Sequence, residues 1–225
     1  MKIAVLGIDF SLGKTELPDE RINKLRLIFH PPKITFIQLE FLDADHLKEA
    51  DAILAEKNAK LDLILQDLES IEKHLDNQVA LRAKQALEGE TLLNEIPFSE
   101  EEIKLLANLN LVTLKPIYFV DKDNLPSIPE MIQGVYLFCE MISFFTVNEK
   151  ELRAWSIKKG TTVYEAAGKI HSDLQKGFIK AEVIGFEDLI KAGSLNQAKA
   201  KGLIRLEDKE YIVRDGDLIQ IRFNL

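Results

Sequence analysis

The sequence has a single cysteine, no internal repeat and no low-complexity linker. One cysteine cannot form an internal disulfide or a cysteine-based zinc cluster, and the apolar neighbours of Cys139 predict a buried, unreactive thiol. No apolar run approaches the length of a membrane-spanning helix, and the first residues lack a signal-peptide cleavage pattern. We therefore expect a folded cytoplasmic protein with no membrane partner.

The net charge of −8 is unevenly distributed along the 225 residues. Residues 1–142 carry 15 Lys and Arg against 25 Asp and Glu, a balance of −10, whereas residues 143–225 carry 14 against 12, a balance of +2. An acidic body argues against non-specific nucleic-acid binding by the whole protein. Any contact with RNA is therefore expected in the last third of the chain.

The first part of the chain has the pattern of an α/β domain. Three apolar runs predict strands: KIAVLGI (2–8), ITFIQLEFL (34–42) and LKPIYFVD (114–121). DAILA (51–55) is either a further strand or the start of a helix. Pro18 and the acidic pair after it predict a helix that ends before the prolines at 31–32, and residues 128–142 predict another helix. We assign residues 1–56 and 109–141 to one truncated α/β domain.

Between these two segments the apolar residues recur at helical spacing, with charges between them. This pattern predicts one long helix or an antiparallel helical pair over about 57–94, and Ser99 with Glu102 predicts a capping box for a further helix. We assign residues 57–108 to a helical, coiled-coil-like arm.

The last part of the chain, residues 142–225, has the order strand, strand, helix, strand and closing hairpin. The helix is expected to begin at Thr161 or Thr162 and to run through Gln175. Turn dipeptides predict that residues 204–223 form the hairpin. This is the order of an α+β, ubiquitin-like β-grasp domain, and we expect it to fold without any element from upstream.

Residues 153–189 and 205–225 resemble the carboxy-terminal TGS-type domain of YchF-like proteins of the Obg-related family. The resemblance is carried by Arg-Ala-Trp, Ala-Ala-x-x-Ile-His-x-Asp, Gly-Phe-Ile-x-Ala-Glu-Val and Asp-Gly-Asp, in the family's order and spacing. Weaker similarity extends to residues 19–34 and 61–75. Because TGS-type domains accompany translation-related and RNA-related enzymes, the resemblance implies RNA or the ribosome as a partner of this domain.

The resemblance also implies a P-loop nucleotide site near the amino terminus, but the sequence departs from the family there. Family members carry Gly-x4-Gly-Lys-Ser/Thr, whereas five residues separate the two glycines here, and the family's Asp-x-Ala-Gly is replaced by Asp-Ala-Asp-His. Asn with a nearby acidic residue should follow LKPIYFV, yet Asp121-Lys122-Asp123-Asn124 stands there. The candidate nucleotide-binding residues are Gly7, Gly13, Lys14, Thr15 and Asp43.

We favour a degenerate P-loop that no longer binds nucleotide. Its glycines and its Lys-Thr would need a strand–loop–helix context, and the family's first helix is missing from the sequence pattern. No cofactor is therefore expected, and ATP or GTP with Mg is the alternative. Asp43, Asp45 and His46 are metal-type ligands in one loop, but such a loop is more often a solvated turn. We assign neither a metal site nor a catalytic residue.

Basic residues of the carboxy-terminal domain are candidates for contact with RNA or another partner: Arg153, Lys158, Lys159, Lys169, Lys176 and Lys180. Lys169 and Lys176 are seven residues apart, so one helical face can carry both; a solvated face is the alternative. Trp155 is expected to be a core residue, and an exposed stacking platform beside Arg153 is the alternative. His171 is expected to be structural, since no nucleophile or paired carboxylate accompanies it.

The prediction for the whole chain is a non-catalytic RNA- or ribosome-associated protein derived from a YchF-like nucleotide-binding protein. One alternative is a residual ATP or GTP hydrolase that uses Lys14, Thr15 and Asp43. A second alternative is a protein-interaction adaptor in which the acidic helical arm docks another protein.

Overall fold

The computed structural model describes residues 1–75 and 77–224. The strands are β1 (Lys2–Leu6), β2 (Gly13–Glu16), β3 (Lys33–Thr35), β4 (Gln38–Leu42), β5 (Ala52–Glu56), β6 (Ile117–Val120), β7 (Met141–Val147), β8 (Glu151–Lys158), β9 (Phe178–Gly185), β10 (Arg205–Glu207) and β11 (Asp217–Phe223). The α-helices are α1 (Glu20–Phe29), α2 (Lys60–Ile71), α3 (Gln78–Glu88), α4 (Glu100–Ala107), α5 (Ile128–Phe138), α6 (Val163–Ile170), α7 (Ser172–Lys176), α8 (Phe186–Ala192) and α9 (Leu195–Ala200). Within the described residues, no helix combines the length and the apolar character needed to cross a bilayer.

The chain forms two compact units. The first contains Met1–Thr15 and Gln38–Cys139, and the second contains Glu16–Ile37 and the chain from Glu140 onward. This grouping differs from the predicted domains, because residues 16–37 join the carboxy-terminal unit.

The first unit is built on a five-stranded sheet with the order β2-β4-β1-β5-β6. Strand β1 is parallel to β4 and β5, and β5 is parallel to β6. All five residues of β5 are buried, as expected for a parallel strand covered on both faces. The sheet residues Ala4 and Ile53 share one core with Leu63 of α2, Ala83 of α3 and Leu106 of α4. The helices predicted as an arm therefore pack on the sheet, because their apolar side chains complete its core.

The second unit is built on a six-stranded sheet with the order β10-β9-β11-β7-β8-β3. Strands β7 and β8 are antiparallel, β11 is parallel to β7, and β9 is antiparallel to β11. Helix α6 begins after Thr162, whose side chain forms a capping box with Glu165, so the predicted start at Thr162 is confirmed. Val163 and Ala166 of this helix pack in a core with Phe144 of β7.

Residues 34–42 were predicted as one strand but belong to two sheets. The chain leaves the second unit's sheet at Thr35, the end of β3, and enters the first unit's sheet at Gln38, the start of β4. The prediction of one strand is wrong, because the alternation of apolar residues continues through Phe36 and Ile37 and cannot show a change of sheet.

The predicted hairpin over residues 204–223 is also wrong. Strands β10 and β11 each pair with β9, which lies between them. The loop between β10 and β11 forms backbone hydrogen bonds with residues 161–163. Val163 N–H donates to the Tyr211 carbonyl, and Val213 N–H donates to the Thr161 carbonyl. The loop therefore satisfies its backbone groups against the residues that precede α6, not through a tight turn between β10 and β11.

The predicted helix through Gln175 is interrupted at His171. This residue has an extended backbone and forms the carboxy-terminal cap of α6 and the amino-terminal cap of α7, with its Nδ1 accepting from the Asp173 N–H at 3.2 Å. A capping side chain of this kind competes with helix continuation. His171 thus has a structural role, and Lys169 and Lys176 lie on different helices.

The expectation that residues 142–225 use no upstream element is wrong, because β3 pairs in parallel with β8. Helix α1 belongs to the same unit and buries Ile22 and Leu25 completely. The helix starts at its Asp19 cap and ends at His30, which adopts a left-handed conformation just before the two prolines. The pattern of a helix before Pro31 is thus confirmed, whereas its packing partner was not predicted.

Candidate functional site

The first unit offers a ligand-binding position at the carboxyl ends of its parallel strands. From β1 the chain passes to β2 and β4 on one side of the sheet, and then to β5 and β6 on the other. Open α/β sheets bind ligands where the strand order reverses, beyond the carboxyl ends of the strands. In this sheet that position lies between the ends of β1 and β5, where the loop from Gly7 begins and where Glu56 ends its strand.

Gly7 and Glu56 lie against each other at this position. Gly7 has φ 76°, and a Cβ added to it would lie 3.1 Å from the Glu56 Cβ and 3.2 Å from the Glu56 Oε2. Glu56 is only 9% exposed; its Oε1 accepts from Asn58 Nδ2 at 2.6 Å, and the Lys122 Nζ lies 3.9 Å from its Oε2. A buried carboxylate therefore stands beside the start of the loop, and it opposes the approach of a phosphate by charge repulsion.

The other predicted P-loop residues lie in a strand. Gly13, Lys14 and Thr15 belong to β2, the edge strand beside β4. The next helix, α1, begins only at Glu20 and belongs to the second unit. Consequently Lys14 and Thr15 are not in the first turn of a helix, where helix N–H groups would help to bind a phosphate.

Asp43 interacts with its own turn. It caps the 3₁₀ helix Ala44–His46, accepting from the Asp45 N–H at 3.1 Å and lying 2.5 Å from the His46 Nδ1. This contact with His46 is the main cause that lowers the pKa of Asp43 and raises the pKa of His46. Across residues 1–75 and 77–224, no group of three or more His, Cys, Asp or Glu side chains is placed to hold a metal ion.

The segment after β6 forms another short turn. Asp121 caps the 3₁₀ helix Lys122–Asn124 and pairs with the Lys57 Nζ at 2.9 Å. The hydrogen bond from Lys57 is the main cause that lowers the pKa of Asp121. An ion pair thus links the segments that follow β5 and β6. Lys57 and Glu56 were missed by the sequence analysis, although their place directly after the apolar run AILA marked them as strand-end residues.

The basic residues of the second unit do not form one surface. Arg153 lies on the same sheet face as Trp155 and Ile157, which pack toward the core under α6. Lys180 lies on the opposite face, since its neighbour Ala181 is in that core, and its Nζ is 2.5 Å from the Asp208 Oδ1. The remaining lysines are exposed at the end of β8, in the turn after it, on α6 and on α7: Lys158, Lys159, Lys169 and Lys176.

Comparison with known proteins gives a family match for the carboxy-terminal part of the second unit. Residues 141–224 match the family model YchF-GTPase_C, described as "Protein of unknown function (DUF933)". The "Ribosome-binding ATPase YchF" of Bacillus subtilis is 28% identical over 330 residues, which cover 97% of this chain and 90% of that protein. The chain is thus similar to YchF proteins over most of its length, and residues 141–224 match the YchF-GTPase_C model.

Other YchF relatives match a smaller share of their own length. The "Ribosome-binding ATPase YchF" of Mycoplasma genitalium is 40% identical over 156 residues, covering 68% of this chain and 42% of that protein. The "Obg-like ATPase 1" of Homo sapiens is 46% identical over 98 residues, covering 44% of this chain and 25% of that protein. The chain therefore spans less than half the length of these two relatives, and their activities are not transferred from the matches alone.

A solved YchF structure shows the same fold. The structure of the Schizosaccharomyces pombe YchF GTPase superposes with a TM-score of 0.78 at 20% identity, covering 96% of this chain and 88% of that one. A GTP-binding protein from Pyrococcus horikoshii OT3 superposes with a TM-score of 0.54 at 13% identity. At these identities the likeness concerns the mixed α/β fold.

Proposed function

We propose that this protein is a ribosome-associated, RNA-binding relative of YchF that has lost nucleotide switching. Relatives that match it bear the name "Ribosome-binding ATPase YchF", and residues 141–224 match the YchF-GTPase_C model. The observation that carries the loss of switching is the placement of Lys14 and Thr15 in β2, away from any helix start. Ribosome association therefore persists in this proposal without a hydrolysis cycle.

The loop after β1 gives independent support for the loss of nucleotide binding. A P-loop binds phosphates through successive backbone N–H groups and a helix amino terminus. Here the Glu56 side chain lies directly beside Gly7, and its carboxylate already accepts a hydrogen bond from Asn58. A phosphate at this position would have to displace or neutralise that carboxylate, at a cost in binding free energy.

We also propose that residues 142–225, the larger part of the second unit, are a TGS-type β-grasp domain. Its support is the order of strands β8-β7-β11-β9-β10, in which a hairpin is followed by helix α6 and the last strand is inserted parallel to the first. Burial of α6 residues against that sheet adds to the assignment.

Nucleotides are expected to leave the thermal stability of the protein unchanged. A ligand present at 100 times its dissociation constant stabilises a folded protein by about 2.7 kcal/mol, which is several degrees in Tm. Melts with millimolar Mg-ATP and Mg-GTP should shift by less than about 1 °C in the wild type and in Lys14→Ala alike. A larger shift that Lys14→Ala abolishes would instead support the residual hydrolase, the activity in the names of the YchF relatives.

Binding to ribosomes is expected to weaken steeply with salt, because lysine–phosphate contacts release counterions. Charge reversal at Lys169 and Lys176 should lower the affinity and reduce the salt slope by about 1–2, at roughly 0.7 per single-stranded contact. Co-sedimentation over a salt series is the measurement. The matched variants are Glu69→Lys and Glu72→Lys on and just after α2, which should leave binding intact or strengthen it. Loss of binding only with the Glu variants would favour the adaptor that docks through the helical region.

A further inference from the structure

Trp155, the one tryptophan of the chain, is held in a fixed position on β8. Its Nε1–H donates to the Thr146 Oγ1 at 2.9 Å. Its ring is nearly parallel to that of Phe144, with an interplanar angle of 14° and centroids 6.3 Å apart. The guanidinium of Arg153 lies over the indole, 4.1 Å from the centroid. The indole thus contacts both the Phe144 ring and one face of the Arg153 guanidinium, and Arg153 and Trp155 are both half-buried.

Arg153 differs from the other arginines that lie over aromatic rings in the described residues, namely Arg21, Arg82 and Arg205. Each of those three also bonds a carboxylate, from Asp215, Glu102 and Glu207 respectively. Over residues 1–75 and 77–224, no hydrogen bond or ion pair engages the Arg153 guanidinium. Its N–H donors are therefore left for solvent or for a ligand.

The strands beside Arg153 add small polar groups and a second cation. Thr35 of β3 and Thr146 of β7 lie in register with Arg153 on either side. The neighbouring Glu151 accepts a hydrogen bond from the Thr35 hydroxyl and pairs with the Lys33 Nζ at 3.1 Å. The Thr35 hydroxyl and Lys33 are the main causes that lower the pKa of Glu151, and Arg153 attracts the same carboxylate more weakly.

We propose that the Arg153–Trp155 stack binds an unpaired RNA base, which stacks on the outer face of the guanidinium while the N–H groups bond its phosphate. A guanidinium is planar and stacks on flat π systems, and unpaired bases are commonly bound on aromatic rings or arginine planes. The preordered indole lowers the entropy cost of fixing the arginine. This inference rests on the proposed function and names the residues through which the domain would bind RNA.

Titration of the full chain with hexa-adenylate RNA tests the stack, with Trp155 fluorescence as the signal. We expect saturable quenching in the wild type. Arg153→Lys keeps the positive charge but removes the planar guanidinium on which a base could stack. It should weaken binding by about 5-fold to 100-fold, the range for loss of one stacked base. The matched control is Arg214→Lys, an exposed arginine of the same unit, which should bind as the wild type does. Equal affinity of both variants would overturn the proposal.

Two further ligands test base stacking on the wild-type protein. Their results do not depend on whether the Arg153 variant folds. An abasic oligomer with the same number of phosphates should bind at least about tenfold more weakly, because it offers charge without a base to stack. Binding as tight as that of hexa-adenylate would show that charge alone is recognised and would overturn the stack. Equal quenching by hexaglutamate would show that the ligand is an acidic peptide and would overturn the proposal that it is RNA.

Co-sedimentation with ribosomes separates this inference from the function on which it rests. Wild-type protein that sediments with ribosomes, combined with equal binding of the abasic and adenylate oligomers, would overturn the stack alone. Protein that discriminates the two oligomers but does not sediment would support the stack and would count against ribosome association.

Discussion

Replacing Asp67 with alanine is expected to destabilise the first unit by about 3–5 kcal/mol, lowering its unfolding temperature by about 10 °C or more. Asp67 lies on α2 and is only 1% exposed. Its carboxylate accepts from the Val112 N–H at 2.9 Å, the Thr113 N–H at 2.7 Å and the Thr113 hydroxyl at 2.6 Å. The side chain thereby holds the 3₁₀ helix Val112–Leu114, which leads into β6.

The size of this effect follows from what alanine leaves behind. Three donors would lose their acceptor inside the core, and a buried donor without a partner costs about 1–3 kcal/mol. Burial already raises the pKa of Asp67 in spite of the hydrogen bonds that lower it, so the wild-type site carries a desolvation cost that alanine removes. The net loss is therefore smaller than the sum of three unmade bonds.

Chemical denaturation followed by circular dichroism measures the loss. The matched control is Asp62→Ala, which removes an exposed carboxylate from the first turn of the same helix and should change the free energy of unfolding by less than about 1 kcal/mol. Asp67→Asn keeps one acceptor oxygen and should fall between the two. Equal stability of Asp67→Ala and Asp62→Ala would contradict the account of Asp67 as the anchor of this turn.

Local features were predictable from the sequence because a few adjacent residues determine them. The capping box of Ser99 and Glu102 and the helix end before Pro31 are found where the pattern indicated them. The choice of sheet partner was not predictable, since β3 and β4 follow each other after two residues with the same alternation but join different sheets. Pairing depends on distant residues, such as those of β8, that a local pattern does not identify.

The candidate site was also predictable only in part, because some of its residues come together only through the pairing of distant strands. Gly7 was identified as a candidate P-loop glycine, and its positive φ agrees with a glycine there. Glu56 was missed because its importance comes from the reversal of strand order, which sets the ends of β1 and β5 side by side. A residue 49 positions away thus becomes the neighbour of Gly7 only after the sheet has formed.

Residues 16–37 are expected to be required for a stable second unit, so that residues 140–225 expressed alone should lack a cooperative transition or unfold at least about 15 °C lower. Four buried side chains would be lost with this segment: Leu17, Ile22, Leu25 and Ile37. Each contributes about 1.5–3 kcal/mol on burial, and their sum is comparable to the whole stability of a typical domain.

Arg21 adds a polar link that the same segment supplies. Its guanidinium bonds Asp19 at 2.8 Å and Asp215 at 2.8 Å, and Asp215 also accepts from the Ser143 N–H at 2.9 Å. Burial lowers the pKa of Arg21, but the hydrogen bonds that Arg21 donates to the two carboxylates more than offset this and leave the pKa raised. The network joins the start of α1 to the loop before β11.

Two experiments test this dependence, one on fragments and one on the full chain. Fusing residues 16–37 through a flexible linker to residues 140–225 should restore a cooperative melt that residues 140–225 alone do not show. In the full chain, Arg21→Met should cost about 2–4 kcal/mol, because it leaves Asp19 and Asp215 without their shared cation. Arg26→Met, on the exposed side of the same helix, should cost less than about 0.5 kcal/mol. A fragment of residues 140–225 that melts as cooperatively and as high as the fusion would show that α1 and β3 only cover a sheet that is already stable.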